Sequence, residues 1–228
     1  MLISRNLIKY WGERGINNME LINMFVDTSR FEGLVKTSSE KYIGYCGLVS
    51  LHKDGVDDLI KAFSIFSSKH QEYKLKIIGP FQNNDVYETL KKMVNELDLK
   101  DKVLFTGAIT PAQMPQLLYD AEILALARPS NLQAQYGFPT KLGEYLATGN
   151  PVCVTKVGEI PYFLQDGVNA FMAEPDNPKS FADALCRIAD DIDKAREIAL
   201  EGRKLVFDVF SAVTQAKKAL DFMNRSVI

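Results

Sequence analysis

Residues 42–78 read YIGYCGLVSLHKDGVDDLIKAFSIFSSKHQEYKLKII. This stretch opens on a short apolar run, 42–46, and closes on another, 75–78. Between them Val56, Leu59, Ile60, Phe63 and Phe66 recur at the spacing of a helix with one apolar face. Strand, helix and strand in so short a span make a βαβ unit, whose crossover forces the two strands parallel. The alternation continues beyond it. Short apolar runs recur at 103–105, 123–127, 152–155 and 170–172, and Val86, Leu90, Met93, Val94 and Leu97 mark a second helical face. Thr110 followed by Pro111 reads as the cap and first turn of a third helix. The expected architecture is α/β: a Rossmann-like, doubly wound parallel sheet of about six strands flanked by helices.

On the N-terminal side, residues 3–14 place Ile3, Leu7, Ile8, Tyr10 and Trp11 at helical spacing until Gly12 and Gly15 break it, and an irregular stretch runs to about residue 40. After Pro178 the pattern stays helical to the end, with one stripe on Phe181, Ala184, Leu185 and Ile188 and another on Val213, Ala216, Leu220 and Met223. The 228 residues, 46% hydrophobic, are enough to fill a large core. The formal net charge of -2, from 27 basic and 29 acidic residues, gives no global reason to bind nucleic acid or an acidic membrane, so any anion site must be local. Cys46, Cys153 and Cys186 are far apart and set among apolar residues, which fits buried thiols and neither a disulfide framework nor a metal site. No apolar run approaches the roughly 20 residues that span a bilayer, and no secretory signal pattern opens the chain; a cytoplasmic protein is expected.

In an open parallel sheet, ligands bind beyond the carboxyl ends of the strands, and three of the loops there are informative. Residues 47–55 combine Gly47, His52 and Lys53 ahead of a helix start, a setting that suits phosphate oxygens; composition alone favours a solvated turn with Lys53 at the surface. In the turn at 105–109, Gly107 permits close backbone approach, so a planar base could lie against the chain, or the turn could simply be tight. The third segment runs from Arg128-Pro129-Ser130 through Tyr136-Gly137-Phe138-Pro139-Thr140-Lys141-Leu142-Gly143-Glu144 to Gly149-Asn150-Pro151. A helix beginning near Pro139 and ending at Gly149 puts Glu144 about one turn in, where a carboxylate can accept both hydroxyls of a ribose diol or merely complement the helix dipole. His52 and His70 are the only histidines; neither has a partner at a triad or metal spacing, and both read as surface residues, with His52 near enough to Lys53 to touch a phosphate.

A Gly loop with Lys, a V-x-F-x-G turn, Pro-Ser ahead of a Gly-x-Pro helix start, Glu-x-x-Ala-x-Gly-x-Pro-Val and then Asp-Gly-x-Asn occur here in one order. That order resembles the group 1 glycosyltransferases of GT-B architecture, over about residues 22–223. The resemblance implies that Gly47 and Lys53 serve the donor diphosphate, that Gly107 and Ile109 face the nucleobase, that Gly137, Phe138, Pro139, Thr140 and Lys141 form the helix start around the distal phosphate and sugar, and that Glu144 binds the donor ribose. It further implies transfer of a sugar from a nucleoside-diphosphate sugar to a glycan or lipid-linked hydroxyl, with retention and no obligatory metal or other cofactor.

Two positions depart from the family pattern. Leu48 stands where many members carry a second phosphate-binding arginine, with Arg128 a candidate replacement. Tyr136 stands where the first glutamate of a pair is expected. Residues 1–40 resemble the last helix of a preceding domain and the linker from it, and 41–228 the C-terminal donor domain, one half of a GT-B enzyme. On this reading the acceptor-binding domain, with any membrane contact, is missing, this chain holds no catalytic residue, and it is inactive alone. A regulatory nucleotide-sugar-binding module is an alternative. An NAD-dependent oxidoreductase is disfavoured because no Gly-x-Gly-x-x-Gly follows the first strand.

Overall fold

The computed structural model describes residues 1–226. Six strands, β1 (Tyr42–Cys46), β2 (Lys74–Ile78), β3 (Val103–Gly107), β4 (Ile123–Leu126), β5 (Val152–Thr155) and β6 (Phe171–Ala173), form one sheet in the order β3-β2-β1-β4-β5-β6. Every neighbouring pair is parallel, as the βαβ reading requires. Parallel strands are buried on both faces, so they carry near-continuous apolar side chains; Ile123, Leu124, Ala125 and Leu126 are all fully buried.

The helices are α1 (Arg5–Gly12), α2 (Val56–Ser67), α3 (Asn84–Glu96), α4 (Met114–Asp120), α5 (Leu132–Tyr136), α6 (Lys141–Thr148), α7 (Pro178–Asp190), α8 (Ile192–Asp208) and α9 (Ala212–Ser226). The strand order reverses between β1 and β4, so right-handed crossovers on either side of that point send their helices to opposite faces. One layer has α2 against α7; the other has α6 between α4 and α8.

The helix expected from Thr110 begins later. Gln113 Oε1 accepts from the Thr110 amide and hydroxyl at 3.0 and 2.9 Å, and the Gln113 amide returns to the Thr110 carbonyl. This closes a separate turn, and Pro115, not Pro111, takes the first turn of α4. The N-terminal segment docks on the sheet domain. Ser4 caps α1 and donates to the Tyr136 carbonyl at 2.6 Å, Arg5 pairs with the buried Glu159 at 2.6 Å, and Val26 bridges to Ser211. Trp11 and Ile16 remain exposed.

Candidate functional site

The switch point between β1 and β4 brings together the loop after β1 and the segment from the end of β4 into α6. Asn131, which caps α5, ties the two by donating to the His52 carbonyl at 2.7 Å. Lys53 is exposed, and among the described residues no carboxylate pairs with it. The start of α2 is already occupied by charge: Asp57 and Asp58 lie in its first turn, held by Lys61 at 3.2 and 2.8 Å. Those carboxylates offset the positive helix end, so an anion here has to rely on side-chain cations.

Beneath the loop lies a cluster that the sequence reading did not find. Asp54 turns inward and is 2% exposed. Its Oδ2 accepts from Tyr45 Oη at 2.9 Å and from the ammonium of Lys141, while Arg128 Nε lies 3.8 Å from Oδ1. Lys141 also donates to Tyr45 at 3.2 Å. Burial holds the Lys141 ammonium below the usual lysine range; Asp54 opposes that shift and the nearby Lys53 charge adds to it. Gly47 is what lets Lys141 reach this place, because a Cβ at 47 would collide with Nζ. Arg128 is 4% exposed, and among the described residues its Nε and Nη1 are buried without a hydrogen-bond partner, a costly arrangement for a buried cation. Two cations, Lys141 and Arg128, thus face one buried carboxylate, with the exposed Lys53 near enough to act on Lys141.

At the start of α6 the Leu142 and Gly143 amides are already taken by the Pro139 and Thr140 carbonyls, which leaves the amide of Lys141, the first helical residue, to act as a donor. Phe138 faces away from the site, packed edge-on to Phe163 and against Phe210 at 5.6 and 5.5 Å. Glu144 sits in the first turn of α6. Burial raises its carboxyl pKa; Arg30 first, then Lys141, oppose the rise. Tyr145, fully buried, accepts from the Cys46 amide at 2.7 Å and so pins α6 to the end of β1. Across the site, Gly107 has a φ of 68° with open space where a side chain would be, and Ile109 is half-buried beside it.

Of the expected residues, the structure therefore gathers Gly47, Lys53, Lys141 and Glu144 at the switch point, with Gly137, Pro139 and Thr140 alongside. It leaves the Phe138 ring in the core. Leu48 is exposed, and the Tyr136 carbonyl is tied to Ser4. His70 is not a surface residue: it stacks on Phe66 beside Asp190, away from the site. The three cysteines are unpaired. Among the described residues no cluster of His, Cys, Asp or Glu is placed to hold a metal ion, and no helix is long and apolar enough to cross a membrane.

Residues 40–191 match the family model described as glycosyl transferases group 1. Among curated proteins, the chain is 27% identical over 182 residues to an uncharacterized glycosyltransferase of Methanocaldococcus jannaschii, covering 80% of this chain and 44% of that one. It is also 27% identical to the D-inositol 3-phosphate glycosyltransferase of Corynebacterium glutamicum, over 66% of this chain and 35% of that one. The chain thus spans less than half the length of these relatives. Among solved structures, Anabaena HepE in complex with UDP and glucose superposes with a TM-score of 0.83 at 20% identity, over 98% of this chain and 62% of that chain. The C-terminal domain of a group 1 family protein, LpcC, from Francisella tularensis superposes with a TM-score of 0.72 at 23% identity, over 82% of this chain and 99% of that domain.

Proposed function

The chain belongs to the group 1 glycosyl transferases, and from that premise we propose that it is the donor-binding half of an enzyme that moves a sugar from a nucleoside diphosphate to a hydroxyl acceptor. The observation that carries this reading is the gathering of Lys53, Lys141 and the first turn of α6 over the sheet's switch point, with Glu144 one turn away. The two ammoniums and the Lys141 amide suit a diphosphate leaving group as its charge develops. Glu144 suits a ribose diol, and the open backbone at Gly107 and Ile109 suits the edge of a base. Arg128, beneath Asp54, stands in for the guanidinium that Leu48 does not supply. HepE holds UDP and glucose on the same fold, while a Mycobacterium tuberculosis relative is described as GDP-mannose-dependent, so both uridine and guanosine donors belong in the test.

In this proposal the reaction retains anomeric configuration, the acceptor is a glycan or lipid-linked hydroxyl, and an acceptor-binding domain supplies the facing wall of the cleft. Residues 1–40 correspond to the last helix of such a domain and its linker. Titration calorimetry of this chain with UDP, GDP, ADP and the matching nucleosides tests the reading. A diphosphate that binds at least tenfold tighter than its nucleoside, about 1.4 kcal/mol, supports it. Equal binding of nucleoside and diphosphate refutes a diphosphate site.

A further inference from the structure

Arg30 lies 114 residues from Glu144 in sequence, on the single 3-10 turn Thr28–Phe31, yet its Nη1 donates to Glu144 Oε1 at 2.8 Å. Its Nη2 donates to the Pro111 carbonyl at 3.1 Å. The guanidinium therefore spans the gap between the helix carrying the ribose-facing carboxylate and the loop just beyond Gly107 and Ile109. Both Arg30 and Glu144 are half-buried, so the pair is screened less than a surface ion pair. A carboxylate has about four acceptor positions, and Arg30 takes one on Oε1, leaving room for two hydroxyl donors. The groups facing Glu144 are Arg30 from the 3-10 turn, Lys141 and Tyr145 from α6, and the Cys46 thiol from β1. Burial raises the Cys46 thiol to about 11 and pushes the Tyr145 phenol well above its ordinary value, so both stay neutral. Arg30 first and then Lys141 oppose the rise that burial gives Glu144, and Lys141 is already committed to Asp54.

We infer that Arg30 is a positioning residue for donor recognition: it aims Glu144 at the ribose diol and couples that carboxylate to the base-facing loop at Pro111. The inference rests on reading Glu144 as the ribose carboxylate. A protonated Glu144 would accept through fewer oxygens and donate where the diol also donates. Removing Arg30 should therefore move the loss of ribose recognition to higher pH.

The experiment measures the affinity ratio of a ribonucleoside diphosphate to its 2′,3′-dideoxy analogue across pH, in the wild type and in the Arg30→Met, Arg30→Gln and Arg30→Lys variants. The two ligands share the diphosphate, so its own titration cancels in the ratio. In the wild type the ratio should fall as pH is lowered and the carboxylate takes up a proton. In Arg30→Met it should be roughly tenfold lower, the scale of one charge-assisted hydrogen bond, and its fall should set in at higher pH than in the wild type. Arg30→Lys should restore most of the wild-type profile. If Arg30→Met does not fold, Arg30→Gln, which keeps a donor but no charge, decides in the same way. A ratio unchanged across pH on removal of the charge, or Arg30→Lys behaving as Arg30→Met, overturns the inference. A separate readout is the carbon-13 titration of the Glu144 carboxyl in the ligand-free chain, which should move to higher pH in Arg30→Met. If the carboxyl shifts as expected while no nucleoside diphosphate binds the wild type, the donor-site reading fails and the Arg30 to Glu144 coupling stands.

Discussion

Replacing Lys141 with Met should damage both the fold and the anion site, whereas replacing Lys53 should damage only the site. Lys141 is 15% exposed and Asp54 3% exposed in their side chains, so the pair is a buried one. Removing one partner of such a pair typically costs about 3–5 kcal/mol, because the remaining charge is left uncompensated. Two groups limit the loss. Tyr45 still donates to Asp54 at 2.9 Å. Arg128, 3.8 Å from the other oxygen, supplies an attraction of about 4 kcal/mol at an effective dielectric near 20. The expected net loss for Lys141→Met is therefore about 2–3 kcal/mol, at or below the lower end of that range. Lys53 is exposed and among the described residues engages no carboxylate, so Lys53→Ala should stay within about 0.5 kcal/mol of wild type. Urea unfolding reads the stability difference, and calorimetry with a nucleoside diphosphate reads the site in the same samples. Gly47→Ala offers an independent route to the same defect, because its Cβ displaces Lys141 from the opposite loop. If Lys141→Met and Lys53→Ala unfold at the same urea concentration, the inward pairing of Lys141 with Asp54 is not what holds this loop.

Other consequences are as direct. Lys53→Ala should weaken diphosphate binding by about 1–3 kcal/mol, the range for a charge-assisted hydrogen bond, and leave nucleoside binding unchanged; equal losses for both would assign Lys53 to the fold. Glu144→Gln should weaken ribonucleotides more than 2′,3′-dideoxy analogues. It should also change the pH profile of stability. A carboxyl whose folded pKa is raised binds more protons in the native state than in the unfolded one, so wild-type stability falls as pH rises through that window; a flat difference between variant and wild type across mildly acidic pH would contradict the raised pKa. On the proposed reading, the isolated chain binds diphosphate but shows no turnover until an acceptor-binding domain is joined to it, since rate depends on holding acceptor oxygen and donor carbon in attack geometry; a transferase assay on the isolated and joined forms decides this.

The sheet was legible because parallel strands buried on both faces leave apolar runs, and because Gly149 in a left-handed cap and Pro151 at the next strand punctuate α6 as its chemistry requires. The helix start at Thr110 misled because a cap-like Thr and a following Pro also make a free-standing turn, and Gln113 decides which by reaching back to Thr110. The short α5 was invisible: it is five residues long, and Leu132 at its start is 74% exposed, so no apolar stripe marks it. The site was half legible. Loop order points to Gly47, Lys53 and Glu144, but Lys-Asp-Gly at 53–55 reads the same whether Asp54 faces solvent or core. Only the match of a Gly at 47 to a Lys at 141 separates the two, and that match is spatial. The Arg30 pairing spans 114 positions, a separation at which periodicity and spacing carry no information.

The departure at Leu48 acquires a physical account from the same cluster. On the proposed reading a diphosphate needs positive charge within reach, and the position where the resemblance leads one to expect a second arginine carries the neutral, exposed Leu48. Lys141 and Arg128 arrive instead from the far side of the switch point, from the start of α6 and the end of β4. Asp54 holds both in place. Without it, two cations in a largely buried pocket would repel each other and bear the full cost of desolvation. With it, they are stored near the loop while the exposed Lys53 leaves the mouth of the site positive. On the proposed reading, an arriving diphosphate supplies the anionic charge that one carboxylate cannot fully match, including acceptors for the unpartnered nitrogens of Arg128. Anion affinity then depends on residues from three segments acting together, so losses from Lys53, Lys141 and Arg128 substitutions should couple through Asp54 instead of adding independently.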